Sequence, residues 1–275
     1  MPQKRILLVG DYRHGDFRDA EAWLRAHTHL TAATTIAEAL SQLAAGPPPE
    51  VILIAQARPG RFHQRQIEQL HAACPVSRLI ALLGAWCEGE TRSGRPWPGV
   101  LRVYWHQWNS RFIPELSAEP PVRAGVWELP RTATAGERLL PTAQVQGPRR
   151  SGLIAIQTSA WTMFESLSDA CRWAGYATAW LAPSQPPQLH GVSAVIWDAV
   201  GCRDQEIHEL QELAARYRPA RVVAMLDFLR LSDHDRALAA GATAVLAKPF
   251  LVSDLLLQLE LRDLAHAPLT PRNTP

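Results

Sequence analysis

The chain lacks the features that mark a membrane protein, a disulfide-rich protein or a nucleic-acid binder. No apolar run reaches the length of a membrane span, and the initial KRILLVG segment predicts a strand rather than a cleavable signal. The cysteines have no CxxC spacing, which predicts reduced thiols and no zinc site: Cys74, Cys87, Cys171 and Cys202. The formal net charge of +2 is not the basic excess of a nucleic-acid partner. These absences predict a cytoplasmic protein without cofactor, metal, membrane contact or nucleic acid.

Apolar segments of strand length alternate with helical periodicity in two separate stretches of the chain. The first stretch begins with the strand at 5–10 and the second with the strand at 152–156. Between Ser117 and Arg149 the periodicity fades and prolines recur. The pattern predicts two α/β domains with parallel sheets covered on both faces. Their predicted limits are residues 1–116, a Pro-rich linker at 117–149, residues 150–265 and a flexible tail at 266–275.

Two segments carry a family resemblance. Residues 240–250, AGATAVLAKPF, place Gly241 at a helix end and Lys248-Pro249 after a short apolar strand. Residues 50–60, EVILIAQARPG, combine a buried strand with a Pro-Gly loop. Both segments resemble the receiver domains of two-component response regulators, the CheY-like family. The resemblance implies two flavodoxin-like domains in tandem, each a doubly wound, five-stranded parallel sheet with strand order 2-1-3-4-5.

The same resemblance implies a set of phosphotransfer residues, which the second domain retains only in part. Receiver domains phosphorylate an Asp after the third strand, using Mg²⁺, an acidic pair, a Ser or Thr, and a Lys. Asp198 and Lys248 occupy the acceptor and lysine positions, but Gln157 and Thr158 replace the acidic pair and Asp227 replaces the hydroxyl residue. Loss of two carboxylates weakens Mg²⁺ binding. We therefore predict a degenerate phosphoacceptor site whose charged residues form an ion-pair cluster.

The first domain departs further from the family pattern. The substituted positions are Ala55 for the acceptor, Gly10 beside the remaining Asp11, Leu83 or Gly84 for the hydroxyl residue, and Trp105 or His106 for the lysine. Ala55 cannot carry a phosphoryl group. Both domains are thus predicted to be pseudo-receivers.

A long loop, residues 85–99, follows the fourth strand of the first domain, and tryptophans are dense in and after it. Trp, Tyr and Arg dominate the energetics of protein interfaces. The candidate partner-binding residues are Trp86, Arg95, Trp97, Tyr104, Trp105, His106 and Trp108. The alternative is that these side chains pack on their own domain or against Trp127 of the linker.

A third possibility is catalysis at the same edge of the first domain. Cys87 and His106 could form a nucleophile and base, and a metal site could combine carboxylates with histidine: Glu88, Glu90, Asp11 and His14. The favoured interpretation is a non-catalytic tandem pseudo-receiver that binds or scaffolds a protein partner in a bacterial signal-transduction-type assembly. The partner's identity and the oligomeric state are not determined by the sequence. The alternative is an enzyme or small-ligand-binding protein that uses the crevice around Cys87 and His106.

Overall fold

The computed structural model describes residues 4–90, 94, 96–117, 129, 132–133, 151–182 and 189–260. The chain divides into two compact units, Met1–Val145 and Gln146–Pro275. Each unit contains one five-stranded sheet. The division falls inside the predicted linker, most of which lies outside the described residues, as do Trp127 and the tail at 266–275.

The sheet of unit 1 is all parallel and has the order β2-β1-β3-β4-β5. Its strands are β1 (Arg5–Gly10), β2 (His29–Ala33), β3 (Val51–Gln56), β4 (Arg78–Leu83) and β5 (Leu101–Tyr104). Strand β3 is buried at every position, as expected of a central strand covered on both faces. Its continuous apolar run, VILIA, is therefore the reason that it occupies the middle of the sheet.

Short helices connect these strands. The α-helices are α1 (Arg18–His27), α2 (Ile36–Ala45), α3 (Gln64–Ala73) and α4 (Ile113–Ser117). Single 3-10 turns at Gly15–Phe17, Ala85–Cys87 and Trp105–Gln107 and a π-helical turn at Trp108–Phe112 complete the described helical elements of this unit. The hydroxyl of Thr35 accepts a hydrogen bond from the Glu38 amide and caps α2.

The sheet of unit 2 is also all parallel and has the order β7-β6-β8-β9-β10. Its strands are β6 (Leu153–Gln157), β7 (Ala177–Leu181), β8 (Val192–Ala199), β9 (Arg221–Asp227) and β10 (Ala244–Lys248), and its helices are α5 (Trp161–Trp173), α6 (Asp204–Arg216), α7 (Leu231–Ala239) and α8 (Val252–Glu260). Numbered within each unit, both sheets have the order 2-1-3-4-5 of flavodoxin-like folds. The predicted fold class is confirmed.

Gly241 ends α7 as the sequence predicts. Its φ angle is +107°, and the amide of Ala242 donates to the carbonyl of Ala237 across the helix end. A Cβ atom at this position would lie 2.8 Å from the Cβ of Ala214. Both the backbone angle and the close approach therefore favour glycine.

Two helices of unit 2 begin one residue before a hydroxyl residue. Helix α5 begins at Trp161, just before Thr162, and α7 begins at Leu231, just before Ser232. Neither helix has a side-chain cap at its N-cap residue. The hydroxyl residues lie inside the first turn, where they cannot act as N-caps.

Candidate functional site

The carboxyl edge of the unit 2 sheet brings together the predicted charged residues. The ammonium group of Lys248 lies 2.6 Å from Asp198 Oδ1 and 2.8 Å from Asp227 Oδ1. It also donates to the carbonyl of Ala199 at 3.1 Å. Because an ammonium group has three N–H donors, these three acceptors satisfy it fully. The predicted ion-pair cluster is present.

Thr158 completes this cluster from β6. Its buried hydroxyl donates to Asp198 Oδ2 at 2.6 Å and accepts from the Ala160 amide at 3.2 Å. Gln157, the last residue of β6, is opposite Trp197 of β8. The register between these two strands shifts once, between Leu153 and Ile154. Thr158 therefore lies beside Asp198, and both carboxylate oxygens of Asp198 are hydrogen-bonded.

The cluster carries one positive and two negative charges. Burial lowers the pKa of Lys248, but hydrogen bonds and charge attraction from Asp198 and Asp227 outweigh burial and raise it above its usual 10.5. The lysine is thus a firmly protonated counter-ion for two carboxylates. In this arrangement no N–H of Lys248 remains for another anion.

The register of the unit 1 sheet identifies the counterparts of these residues. In unit 2, Asp198 is opposite Met225, and Asp227, two residues later, is opposite Lys248. In unit 1, Ala55 stands for Asp198 and is opposite Leu82, so Gly84, two residues later, corresponds to Asp227. Because Leu83 is opposite Tyr104, Gly84 is opposite Trp105, which therefore corresponds to Lys248. The register therefore selects Gly84 over Leu83 and Trp105 over His106. No acceptor carboxylate and no lysine stands at these positions.

Gly84 is required for close packing at this edge. A Cβ atom there would lie 2.7 Å from Asp16 Oδ2 and 2.9 Å from the carbonyl oxygen of Ala57. Asp16 itself accepts a hydrogen bond from the Ala85 amide at 2.9 Å. Backbone and Asp16 thus fill the space at the end of β4, where a side chain on residue 84 would otherwise lie.

The tryptophans of the candidate partner-binding set separate into buried and exposed members. Trp97 is 8% exposed and donates its indole N–H to the carbonyl of Phe62 at 3.2 Å, while Trp86 is 67% exposed. Trp105 and Trp108 are buried, and the Trp108 ring stacks on Phe112 with centroids 4.0 Å apart. For these three tryptophans, burial in their own unit favours the packing alternative over partner binding.

The remaining candidates lie beside this core. The rings of Tyr104 and His106 are parallel, with centroids 6.0 Å apart, and both residues are half-buried. Arg102 forms a 2.9 Å ion pair with the buried Glu90, and His106 Nε2 lies 3.5 Å from Glu88. The candidate Arg95 lies outside the described residues.

Cys87 has the environment of a structural thiol. It is fully buried, and its thiol donates to the carbonyl of Gln56 at 3.4 Å. Burial, together with the charge of Glu90, raises the pKa of Cys87 to about 11. A nucleophilic cysteine needs a lowered pKa. The thiol therefore stays protonated at neutral pH, which opposes the alternative of a Cys-His nucleophile. Within the described part of the chain, no three His, Cys, Asp or Glu side chains are grouped to hold a metal ion.

Sequence reasoning missed an arginine-lined crevice at the carboxyl edge of β1 and β3. It has a volume of about 620 Å³, and its ionisable lining residues are Asp11, Arg13, His14, Arg58 and Arg61. Arg61 pairs with Asp11 at 3.0 Å. The signal available in the sequence was the pair of arginines that flank Pro59-Gly60 and a third two residues after Asp11.

No described helix is long and apolar enough to cross a membrane. No protein-family model matches the chain, and no curated protein matches it significantly.

Solved structures similar to the chain are response-regulator receiver proteins. A response regulator from Burkholderia pseudomallei is 17% identical, with 40% of this chain and 66% of that chain covered and a TM-score of 0.35. A CheY-like receiver domain from Methanospirillum hungatei is 17% identical over 40% of this chain and 91% of its own, with a TM-score of 0.35. A response regulator from Thermotoga maritima is 14% identical over 40% of this chain and 95% of its own, also with a TM-score of 0.35. The strand orders of the chain itself identify it as two flavodoxin-like α/β domains in tandem.

Proposed function

We propose that this protein is a non-catalytic tandem pseudo-receiver that acts as a protein-interaction or scaffolding module in a bacterial signal-transduction-type assembly. The observation that carries the proposal is the closed environment of Lys248, whose three donors are occupied by Asp198, Asp227 and Ala199. The proposed domains keep the limits 1–116 and 150–265, joined by the linker.

The absence of phosphotransfer follows from charge and geometry. Mg²⁺ prefers several hard oxygen ligands in octahedral geometry, and it usually binds carboxylates. Thr158 and Gln157 are neutral where carboxylates would be needed, and both oxygens of Asp198 already accept hydrogen bonds. Asp227 adds a negative charge next to any incoming phosphoryl group. These features together oppose both metal binding and attack by Asp198.

Exposed apolar side chains support a protein-binding role for unit 2. Phe228, Val200 and Trp161 are exposed and follow β9, β8 and β6, respectively. Because the carboxyl ends of parallel strands meet at one edge of the sheet, all three lie at the edge that holds Lys248, Phe228 and Val200 on loops and Trp161 at the start of α5. Exposed apolar groups in one region commonly mark protein interaction sites. The proposed interaction surface is therefore this edge of unit 2, because three of the candidate tryptophans of unit 1 are buried.

Incubation with acetyl phosphate and Mg²⁺ tests the absence of phosphotransfer. The intact mass should stay unchanged, and Mg²⁺ should leave the melting temperature unchanged. A phosphoryl mass increment that disappears in Asp198→Asn would overturn the pseudo-receiver assignment.

Affinity purification from the native cell, followed by mass spectrometry, tests the interaction surface. Phe228→Ser should reduce capture of specific partners at least fivefold at equal bait recovery. Trp173→Ser is the matched control, because Trp173 is an exposed aromatic residue at the far end of α5. Equal partner recovery from Phe228→Ser and the intact protein would exclude this surface. Deleting residues 86–98 would not be a clean test of binding by the long loop, because the deletion also removes the buried Trp97.

A further inference from the structure

The arginine-lined crevice of unit 1 lies where the ends of three strands meet. Gly10 ends β1, Thr34 follows β2, and the Ala57–Arg61 segment follows β3; all of these residues line the crevice. Open α/β sheets bind ligands at this edge, and a volume of about 620 Å³ is within the range of small-molecule sites. The crevice is therefore placed and sized for a small ligand.

The charges of the crevice are only partly balanced. Asp11 is paired with Arg61 at 3.0 Å. Arg13 and Arg58 have no carboxylate within ion-pair distance among the described residues, and their guanidinium groups lie over aromatic rings instead. Arg13 is 5.8 Å from the ring centre of Tyr12, and Arg58 is 5.5 Å from that of Trp86. Two exposed guanidinium groups thus keep free hydrogen-bond donors at one crevice.

The nearby carboxylates are already engaged by groups other than these two arginines. Glu38 accepts hydrogen bonds from the amide and hydroxyl of Thr34, at 2.8 and 3.2 Å. Asp16 accepts from the Ala85 amide at 2.9 Å. The three arginines and one aspartate that line the crevice leave a formal charge of +2 with His14 neutral. An anion is the ligand that this arrangement favours.

We propose that the crevice binds the phosphate group of a small phosphomonoester, held non-covalently by Arg13 and Arg58. Guanidinium groups match phosphate oxygens in charge and in paired hydrogen-bond geometry. The volume exceeds that of a phosphate group and leaves room for the organic part of the ligand. Trp86, which is exposed beside Arg58, provides a flat apolar surface for a planar base, so a nucleoside monophosphate is the fitting class. Ala55 offers no nucleophile at this edge, so the group is bound and not transferred.

Calorimetric titration of the full chain with inorganic phosphate and with AMP, in 50 mM KCl without Mg²⁺, tests the proposal. Arg13→Gln combined with Arg58→Gln should weaken binding of both probes at least tenfold. The matched control combines Arg65→Gln with Arg216→Gln, two exposed arginines outside the crevice, and should change binding less than twofold. If the double crevice variant unfolds, the two single variants replace it.

The two probes also distinguish the sources of the phosphate group. Tighter binding of AMP, with the advantage lost in Trp86→Leu, identifies a nucleotide; equal binding identifies free phosphate, and both results support the site. No detectable binding, an equal loss in the control variant, or binding that requires Mg²⁺ would overturn the proposal. None of these outcomes bears on the proposed interaction surface, which lies in unit 2.

Discussion

Lys248 and Asp198 form a 2.6 Å ion pair between side chains that are only 16% and 10% exposed. Asp227 shares the same ammonium group at 2.8 Å. Removal of one partner from a buried ion pair leaves uncompensated charge, which is strongly destabilising. In this cluster the loss of Lys248 would leave two carboxylates facing each other.

Lys248→Met should therefore lower the free energy of unfolding by roughly 2–4 kcal/mol, near the lower end of the values for fully buried pairs because some water reaches the cluster. Urea denaturation measures the change. Adding Asp227→Asn to Lys248→Met removes one of the two opposing charges and should recover part of the loss. A further loss of stability in the double variant would mean that repulsion between the carboxylates is unimportant.

Alkaline pH should weaken the same cluster. The pKa of Lys248 is raised above 10.5 in the folded protein because the attraction of Asp198 and Asp227 exceeds the effect of burial. Its contribution to stability is thus complete below pH 10.5 and is lost as the pH rises through the folded value. The difference between the urea midpoints of the intact protein and Lys248→Met should therefore shrink as the pH rises from 9 to 11.5. A constant difference over that range would contradict the assigned pairing.

The Cys87 thiol should react slowly in the folded protein. Burial and the charge of Glu90 raise its pKa from 9.0 to about 11, which reduces the thiolate fraction at pH 8 on the order of a hundredfold. Alkylation by iodoacetamide, followed by peptide mass spectrometry, should show labelling of Cys87 at least a hundredfold slower than in urea. Glu90→Gln should speed labelling in the folded state. Rapid labelling of the intact folded protein would restore the nucleophile hypothesis.

Strand and helix positions follow from local sequence patterns more readily than contacts do. The limits of strand β4 at Arg78–Leu83 and helix α3 at Gln64–Ala73 coincide with the ends of an apolar run and of a stretch with helical periodicity. The choice between Leu83 and Gly84 depends on a one-residue register that only the assembled sheet fixes. The ion-pair cluster could be predicted because Asp198, Asp227 and Lys248 lie at the carboxyl ends of strands that meet at one edge.

Whether each tryptophan is buried or exposed could not be predicted in the same way. Trp86 and Trp97 belong to one loop, and nothing in their local sequence distinguishes them. Trp97 is buried because its indole N–H reaches the carbonyl of Phe62, which is 35 residues away in the chain. The arginines of the crevice were missed for a related reason, since Arg13 and Arg58 meet only through the sheet topology.

Trp97→Ala should cost roughly 3–5 kcal/mol of folding stability, as truncation of a large buried aromatic side chain does. Trp86→Ala is the matched control on the same loop. Its ring is 67% exposed and contacts Arg58 only through a cation–π interaction, so the loss should stay below about 1 kcal/mol. Urea denaturation of the two variants separates a packing residue from a surface residue. Similar losses for both would contradict the burial of Trp97.

Phe228 has a positive φ angle of 45° while its side chain is 78% exposed. Left-handed backbone costs an L-residue about 1–2 kcal/mol, and asparagine tolerates it better than phenylalanine. The neighbours hold the turn in place, since Asp227 pairs with Lys248 and Leu229 is buried. An exposed aromatic ring on strained backbone contributes little to folding, which points to a role in binding.

Phe228→Asn should therefore raise the free energy of unfolding by about 0.5–1 kcal/mol while reducing partner capture at least fivefold. Phe228→Ala, which removes the ring but gains no tolerance of the left-handed backbone, should reduce capture equally with little gain in stability. Thermal or urea unfolding and affinity purification on the same three proteins supply both measurements. If Phe228→Asn is instead less stable than the intact protein, the ring packs against its own unit, and any loss of capture reflects unfolding rather than a binding surface.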